Sequence, residues 1–276
     1  MISMGAIGVF DSGYGGLTVL KSIREKLPEY SYIYIGDNAR TPYGTRSFDV
    51  VYSYTLQSVS KLFEMGCSLV ILACNTASAK ALRTIQQKDL PFIDPDRRVL
   101  GVIRPSVEKI GSMSKTKHIG VLGTSGTINS NSYPIEIDKL YKGDSLHVEQ
   151  QACPMWVPIV ENSVIDTEGS EYFLKRDIAE ILSKDKQIDT LLLACTHYPL
   201  LINKLRDIVP SSVKLVEQGS IVAESLKDYL TRHPEMEEKC TRETSIEYFT
   251  TETVESFEKN ASLFLGEEIK ASHINL

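Results

Sequence analysis

Leu69-Val70-Ile71-Leu72-Ala73-Cys74-Asn75-Thr76-Ala77-Ser78 and Thr190-Leu191-Leu192-Leu193-Ala194-Cys195-Thr196-His197-Tyr198-Pro199 are the stretches whose reading decides the fold. Each is an apolar run too short to cross a membrane, ending in Leu-Ala-Cys and then small polar residues. That pattern reads as a buried parallel strand delivering a thiol to its carboxyl end. In open α/β sheets this is the edge where ligands bind. Upstream of each run lies a matching strand and turn, Ile7-Gly8-Val9-Phe10-Asp11-Ser12-Gly13 and Ile119-Gly120-Val121-Leu122-Gly123-Thr124-Ser125-Gly126. Ile119 follows Ile7 at nearly the interval by which Cys195 follows Cys74. The chain therefore reads as an α/β protein of two related halves, each carrying one thiol.

The 276 residues, 42% of them hydrophobic, are enough for a large core and for two domains. A formal net charge of -6 supplies no basic field, so neither nucleic acid nor an anionic membrane surface is an expected partner. Met1-Ile2-Ser3-Met4-Gly5 shows no basic segment leading into an apolar one, and no run approaches the ~18 apolar residues of a membrane span, so a cytoplasmic location is expected. Five cysteines, at 67, 74, 153, 195 and 240, form no CxxC pair; free thiols are expected rather than a disulfide framework or zinc ribbon.

Along the chain, Asp11-Ser12-Gly13-Tyr14-Gly15-Gly16 separates a strand from the amphipathic run that starts at Leu17. A strand, a glycine-rich turn and a helix make an anion site, but neither GxxxxGK[ST] nor GxGxxG is present, so no nucleotide is indicated. Residues 32–36 read as a strand with the Asp37-Asn38-Ala39-Arg40-Thr41-Pro42-Tyr43-Gly44 loop at its end, and 47–65 as a helix. Cys67 reads as a buried filler. Residues 75–83 read as a helix, 87–98 as a hinge, and 99–103 as a strand that opens the second half and ends at Arg104-Pro105-Ser106. In Cys153-Pro154-Met155-Trp156-Val157-Pro158-Ile159-Val160-Glu161 the prolines argue against regular structure. Cys153 and Trp156 read as packing residues, and Glu161 is open between packing and a site. Helices are expected over 170–183, 220–229 and 254–265 and strands over 213–217 and 246–250. The charge run at 234–239 reads as a solvated connection, and 269–276 as a tail able to add an edge strand.

Thiolates are favoured at a helix N-terminus or beside a cation, the positions Cys74 and Cys195 occupy. Each has a titratable companion at its own sheet edge, Asp11 for the first and His197 for the second. Asp11 reads alternatively as a helix N-cap, and His197 as a loop hydrogen-bonder. Ser12, Asn75, Thr76, Thr124, Thr127 and Thr196 surround them, with no Lys or Arg, a lining suited to a small zwitterion. Three readings stay open on the residues alone. The thiols exchange the α-proton of a stereocentre from opposite faces; or Cys74, Cys195, His197 and Asp11 hold zinc; or the chain is a noncatalytic two-lobed small-ligand binding protein.

These same residues resemble the glutamate racemases of the cofactor-independent aspartate/glutamate racemase superfamily. The resemblance runs through Phe10 to Val19, Gly36-Asp37 with Pro42-Tyr43-Gly44, Cys74-Asn75-Thr76-Ala77, Gly123 to Thr127, Ala152-Cys153-Pro154 with Val160-Glu161, and Cys195 to Leu200. It implies interconversion of L- and D-glutamate without cofactor or metal, supplying D-glutamate for peptidoglycan, by a cytoplasmic homodimer. Cys195 is then the base for L-glutamate and Cys74 the base for D-glutamate, with Asp11 and His197 as their helpers and Glu161 as a further carboxylate. Asp11, Ser12, Pro42, Tyr43, Gly44, Asn75, Thr76, Thr124, Thr127, Thr196 and His197 match substrate-contacting positions. Two doubly wound domains related by a pseudo-two-fold are implied, residues 1–98 plus 217–276 and residues 99–216, with the site in the cleft between them. Aspartate or a related amino acid is the alternative substrate. The chain departs from the pattern at Tyr14, usually small or aliphatic; at Arg104-Pro105-Ser106, usually Glu-Pro-Gly; and near Gln218-Gly219, usually Asp-Ser or Asp-Pro.

Overall fold

Strand and helix alternate through most of the computed structural model, which describes residues 5–143 and 146–276. Met1 to Met4, read above for a targeting segment, lie outside the described residues. The strands are β1 (Ile7–Asp11), β2 (Tyr32–Gly36), β3 (Leu69–Leu72), β4 (Arg98–Gly101), β5 (His118–Gly123), β6 (His147–Ala152), β7 (Thr190–Ala194), β8 (Lys214–Val216), β9 (Ile246–Thr250) and β10 (Ala271–His273). Among the described residues they form two sheets, ordered β10-β9-β2-β1-β3-β4 and β6-β5-β7-β8, and every pairing is parallel.

The two related halves are visible in that order. β2-β1-β3-β4 and β6-β5-β7-β8 have the same sequence of strands in space, and β9 and β10 extend the first sheet at one edge. In both, the chain order reverses beside the first strand, so a crevice opens at the carboxyl ends of β1 and β3 and again at those of β5 and β7. Cys74 and Cys195 follow β3 and β7. β1, β2, β3 and β7 are buried at every residue, which is why they read as unbroken apolar runs. Helix Gly16–Lys26 covers β1 with Leu17, Leu20 and Ile23 at helical spacing, and helix Phe48–Glu64 covers the opposite face with Val51, Val59 and Leu62, its first turn capped by Ser47. The apolar layer holding Val9, Leu17 and Tyr34 continues into that of Trp156, Leu193 and Tyr198, so one face of each sheet shares a single core.

Several sequence expectations are corrected. The strand after residues 87–98 pairs with β3, so it belongs to the first sheet and the second half does not begin at Val99. Arg104-Pro105-Ser106 lies in the first turn of helix Ile103–Met113 rather than at a strand end, and Pro158 likewise falls in the first turn of helix Trp156–Glu161. Proline is tolerated there because those N–H groups have no intrahelical acceptor to lose. The hinge at 87–98 contains the helical turn Leu90–Ile93, and the solvated connection contains the short helix Pro234–Glu237.

The lobes close on each other through small residues. Thr18 Oγ1 donates to the carbonyl of Thr196 at 2.9 Å, and Thr76 and Thr124 hydroxyls meet at 2.9 Å. A methyl at Gly15 would stand 2.3 Å from Thr196 Oγ1 and 2.4 Å from His197 Nδ1, and one at Gly126 would stand 2.8 Å from the carbonyl of Gly44. Only hydrogen fits at either place. Gly15→Ala should lower unfolding free energy by about 1–3 kcal/mol, the usual cost of an added methyl in a packed contact, measured by urea titration. Unchanged stability would mean that the two turns do not pack in solution.

Candidate active site

Cys74 leaves β3 and caps helix Asn75–Lys80, its sulfur accepting from the backbone N–H of Ala77 at 3.4 Å and bonded to Ser12 Oγ at 3.4 Å. Ser12 follows β1, so two neighbouring strand ends supply this half of the site. Burial pushes the Cys74 thiol up to about 12, the Asp11 carboxylate adds to the rise, and the Ser12 and Ala77 hydrogen bonds only partly offset it. Cys74 therefore keeps its proton at neutral pH. Asp11 is itself fully buried, with Oδ2 accepting from Gly13 N–H at 2.9 Å. Burial raises its pKa as well, against the lowering influence of His197 and of the backbone N–H groups of Gly16 and Gly13.

Cys195 leaves β7 in the equivalent place. Its sulfur lies 3.9 Å from His197 Nδ1, and Nε2 of the same ring is 3.0 Å from Glu161 Oε1. Burial alone would disfavour the imidazolium, but the ring lies between the Cys195 sulfur and the Glu161 carboxylate. Hydrogen bonds to both, with the negative charge of the carboxylate and of the sulfur as thiolate, raise its pKa to about 10. The edge of His197 meets Phe264 at 5.6 Å, and Tyr14 stacks on both Phe264 and Phe257. This aromatic brace fixes the ring that reaches both partners.

Both sulfurs line one small cavity of about 100 Å³. Ser12, Pro42, Tyr43, Gly44, Asn75 and Thr76 line it from the first lobe, and Thr124, Thr196 and His197 from the second. Of the residues expected from sequence, Asp11, Thr127 and Glu161 stand behind the lining instead. Asp11 touches the turn after β1, Thr127 bonds Thr124 and Thr76 at 3.1 and 3.4 Å, and Glu161 holds His197. Cys153, read as packing, lines the cavity, as do Thr41, Thr45, Ser125, Pro154, Val157 and Pro158. The signal available for Cys153 and Pro154 was their place just after β6, a third strand end on the same rim.

Asp37 anchors the loop that brings Pro42 to Gly44 into the wall. It is fully buried and accepts from Arg40 Nε at 2.7 Å, from Thr251 Oγ1 at 2.9 Å and from the Tyr43 hydroxyl. Among the described residues no Lys or Arg lines the cavity. Among them, too, no three or more His, Cys, Asp or Glu side chains converge as metal ligands, so Cys74, Cys195, His197 and Asp11 are not gathered into a zinc set.

Residues 7–226 match the Asp/Glu/hydantoin racemase family. The chain is 38% identical over 264 residues to a glutamate racemase of Aquifex aeolicus, covering 96% of this chain and 95% of that one. It is 39% identical over 272 residues to a glutamate racemase of Persephonella marina, covering 98% and 97%. Among solved structures it is similar to a glutamate racemase of Bacillus anthracis, at TM-score 0.89 and 34% identity over 100% and 99% of the two chains. It is also similar to the Francisella tularensis glutamate racemase in complex with D-glutamate, at TM-score 0.84 and 31% identity over 98% and 97%. An aspartate racemase of Picrophilus torridus, at 15% identity and TM-score 0.53, shares the fold alone. With its family match spanning most of the sequence and its relatives matched nearly end to end, the chain belongs to the Asp/Glu/hydantoin racemase family and groups there with the glutamate racemases.

Proposed function

We propose that the chain interconverts L- and D-glutamate by moving the α-proton between Cys195 and Cys74. The observation that carries this reading is that two thiols, delivered by the carboxyl ends of two different sheets, line one cavity. In the L-to-D direction the Cys195 thiolate takes the α-proton, and the electron pair of the broken C–H bond passes into the adjoining carboxyl group. Cys74 then delivers its proton to the opposite face of the same carbon, and the electron pair returns from the carboxyl group to make the new C–H bond. Cys74 is left as the thiolate and Cys195 as the thiol, ready for the return. The reverse direction exchanges the roles.

The surroundings of the sulfurs suit those roles. Cys74 is held protonated beside Asp11, as a donor requires, whereas Cys195 adjoins a histidine disposed to carry positive charge. Glu161 supports that charge from behind. Hydroxyls and amides of Ser12, Asn75, Thr76, Thr124 and Thr196 suit an amino acid whose charges are hydrogen-bonded rather than ion-paired. The reading extends, on the family resemblance, to a cytoplasmic homodimer supplying D-glutamate to peptidoglycan, without metal or cofactor. It treats the two sheets and their helices as two domains, with residues 217–276 returning to the first.

Cys74→Ala and Cys195→Ala should each lower racemisation about a thousandfold or more, the usual worth of a positioned acid or base, with unchanged far-ultraviolet circular dichroism. In D2O, Cys74→Ala should still exchange the α-proton of L-glutamate and Cys195→Ala that of D-glutamate. Full two-way turnover by either variant would refute the two-thiol scheme.

The His197 ring should remain protonated at pH 8 and titrate near about 10 by NMR, and Glu161→Gln should bring that midpoint down. Because the folded chain holds this proton above the ordinary value of 6.5, its contribution to stability is full below pH 6.5 and is lost as pH rises through about 10. A wild-type midpoint at 6.5 would show that neither neighbour stabilises the imidazolium.

A further inference from the structure

Gln218 lies just ahead of helix Gly219–Arg232, where the chain leaves β8, and its side chain is buried between the lobes. Its Oε1 accepts from Asn75 Nδ2 at 2.8 Å; its Nε2 donates to Ser106 Oγ at 2.6 Å and to the Tyr133 hydroxyl at 2.8 Å. The Tyr133 hydroxyl in turn donates to Asn75 Oδ1 at 2.7 Å. Asn75 lines the cavity next to Cys74; Gln218, Ser106 and Tyr133 do not.

The direction of every bond in this ring follows from one backbone carbonyl. Ser106 donates its only proton to the carbonyl of Val102 at 2.8 Å, so its oxygen can only accept from Gln218. That places the Gln218 amide nitrogen toward Ser106 and Tyr133 and its oxygen toward Asn75. Asn75 must answer with its nitrogen, and Tyr133, which already accepts from Gln218, gives its proton to Asn75 Oδ1. One Asn75 N–H is then the remaining donor of the ring, and its oxygen is occupied.

We propose that Gln218, with Ser106 and Tyr133, is a positioning residue that locks the Asn75 amide with a donor available to the cavity, where it takes a carboxylate of the substrate. The inference rests on the glutamate reading above and adds what holds the Asn75 amide in the orientation that a carboxylate needs. A flipped Asn75 would offer its oxygen to a carboxylate, a repulsive contact, so loosening the lock weakens substrate binding more than the proton transfers.

The test is steady-state racemisation of glutamate by Gln218→Met and Tyr133→Phe, each made in the wild type and in Asn75→Ala. In the wild-type background KM should rise about tenfold with kcat within about twofold, the size of one lost hydrogen bond to a charged group. In the Asn75→Ala background neither substitution should raise KM further, since its effect passes through the missing amide. An unchanged KM in both single variants, or increases that add to that of Asn75→Ala, would overturn the inference. Tyr133→Phe decides the matter if Gln218→Met does not fold. Absence of wild-type turnover would instead sink the glutamate reading, and glutamate affinity by calorimetry across the same variants would then judge the lock.

Discussion

The structure depends on the contact between the turn after β1 and the turn after β7. A cavity small enough to hold one amino acid between two sheet edges requires those edges to approach closely, and side chains normally prevent that. Gly15 removes the obstacle, bringing the chain against Thr196 and His197. Thr18 then ties the turns through the Thr196 carbonyl, and Tyr14, stacked on Phe257 and Phe264, backs the His197 ring. Sheet order, helix packing and the polar lining all serve this one approach.

The same closeness gives two identical thiols different surroundings. Removed from water, a thiolate is costly unless positive charge or hydrogen-bond donors face it. Cys74 faces the Asp11 carboxylate, so its proton is held tightly. Cys195 faces a histidine backed by Glu161, so a positive charge is held beside it. The proposed proton transfer needs one side ready to take and the other ready to give, a difference that neighbours rather than different nucleophiles would provide.

The departures from the family pattern divide by location. Tyr14 fills an aromatic stack with the helix Val254–Leu265, and Asn260 donates to its hydroxyl at 3.2 Å. Arg104 is exposed and pairs with Glu108 one turn away, a contact of small energetic worth. Ser106 and Gln218, far apart in the chain, are in hydrogen-bond contact with each other. Departures at two positions that touch are a single local solution, here one that reaches the cavity through Asn75.

Local pattern determined much of this protein. Apolar runs bounded by turn residues place β1, β2, β3 and β7, because a strand buried on both faces has no polar register to obscure it. The repeat of Leu-Ala-Cys after two such runs places both thiols at strand ends, with Asp11 and His197 beside them. Less was legible where tertiary contact overrides local preference. β4 joins the first sheet because β3 offers it an open edge, and Pro105 and Pro158 sit in helices because their positions lose no hydrogen bond. That Asp11, Thr127 and Glu161 stand behind the cavity while Cys153 lines it was decided by how the two lobes meet. Residue type and spacing specify which groups share a strand end, but the order of shells around a cavity depends on contacts between segments that are distant in the chain.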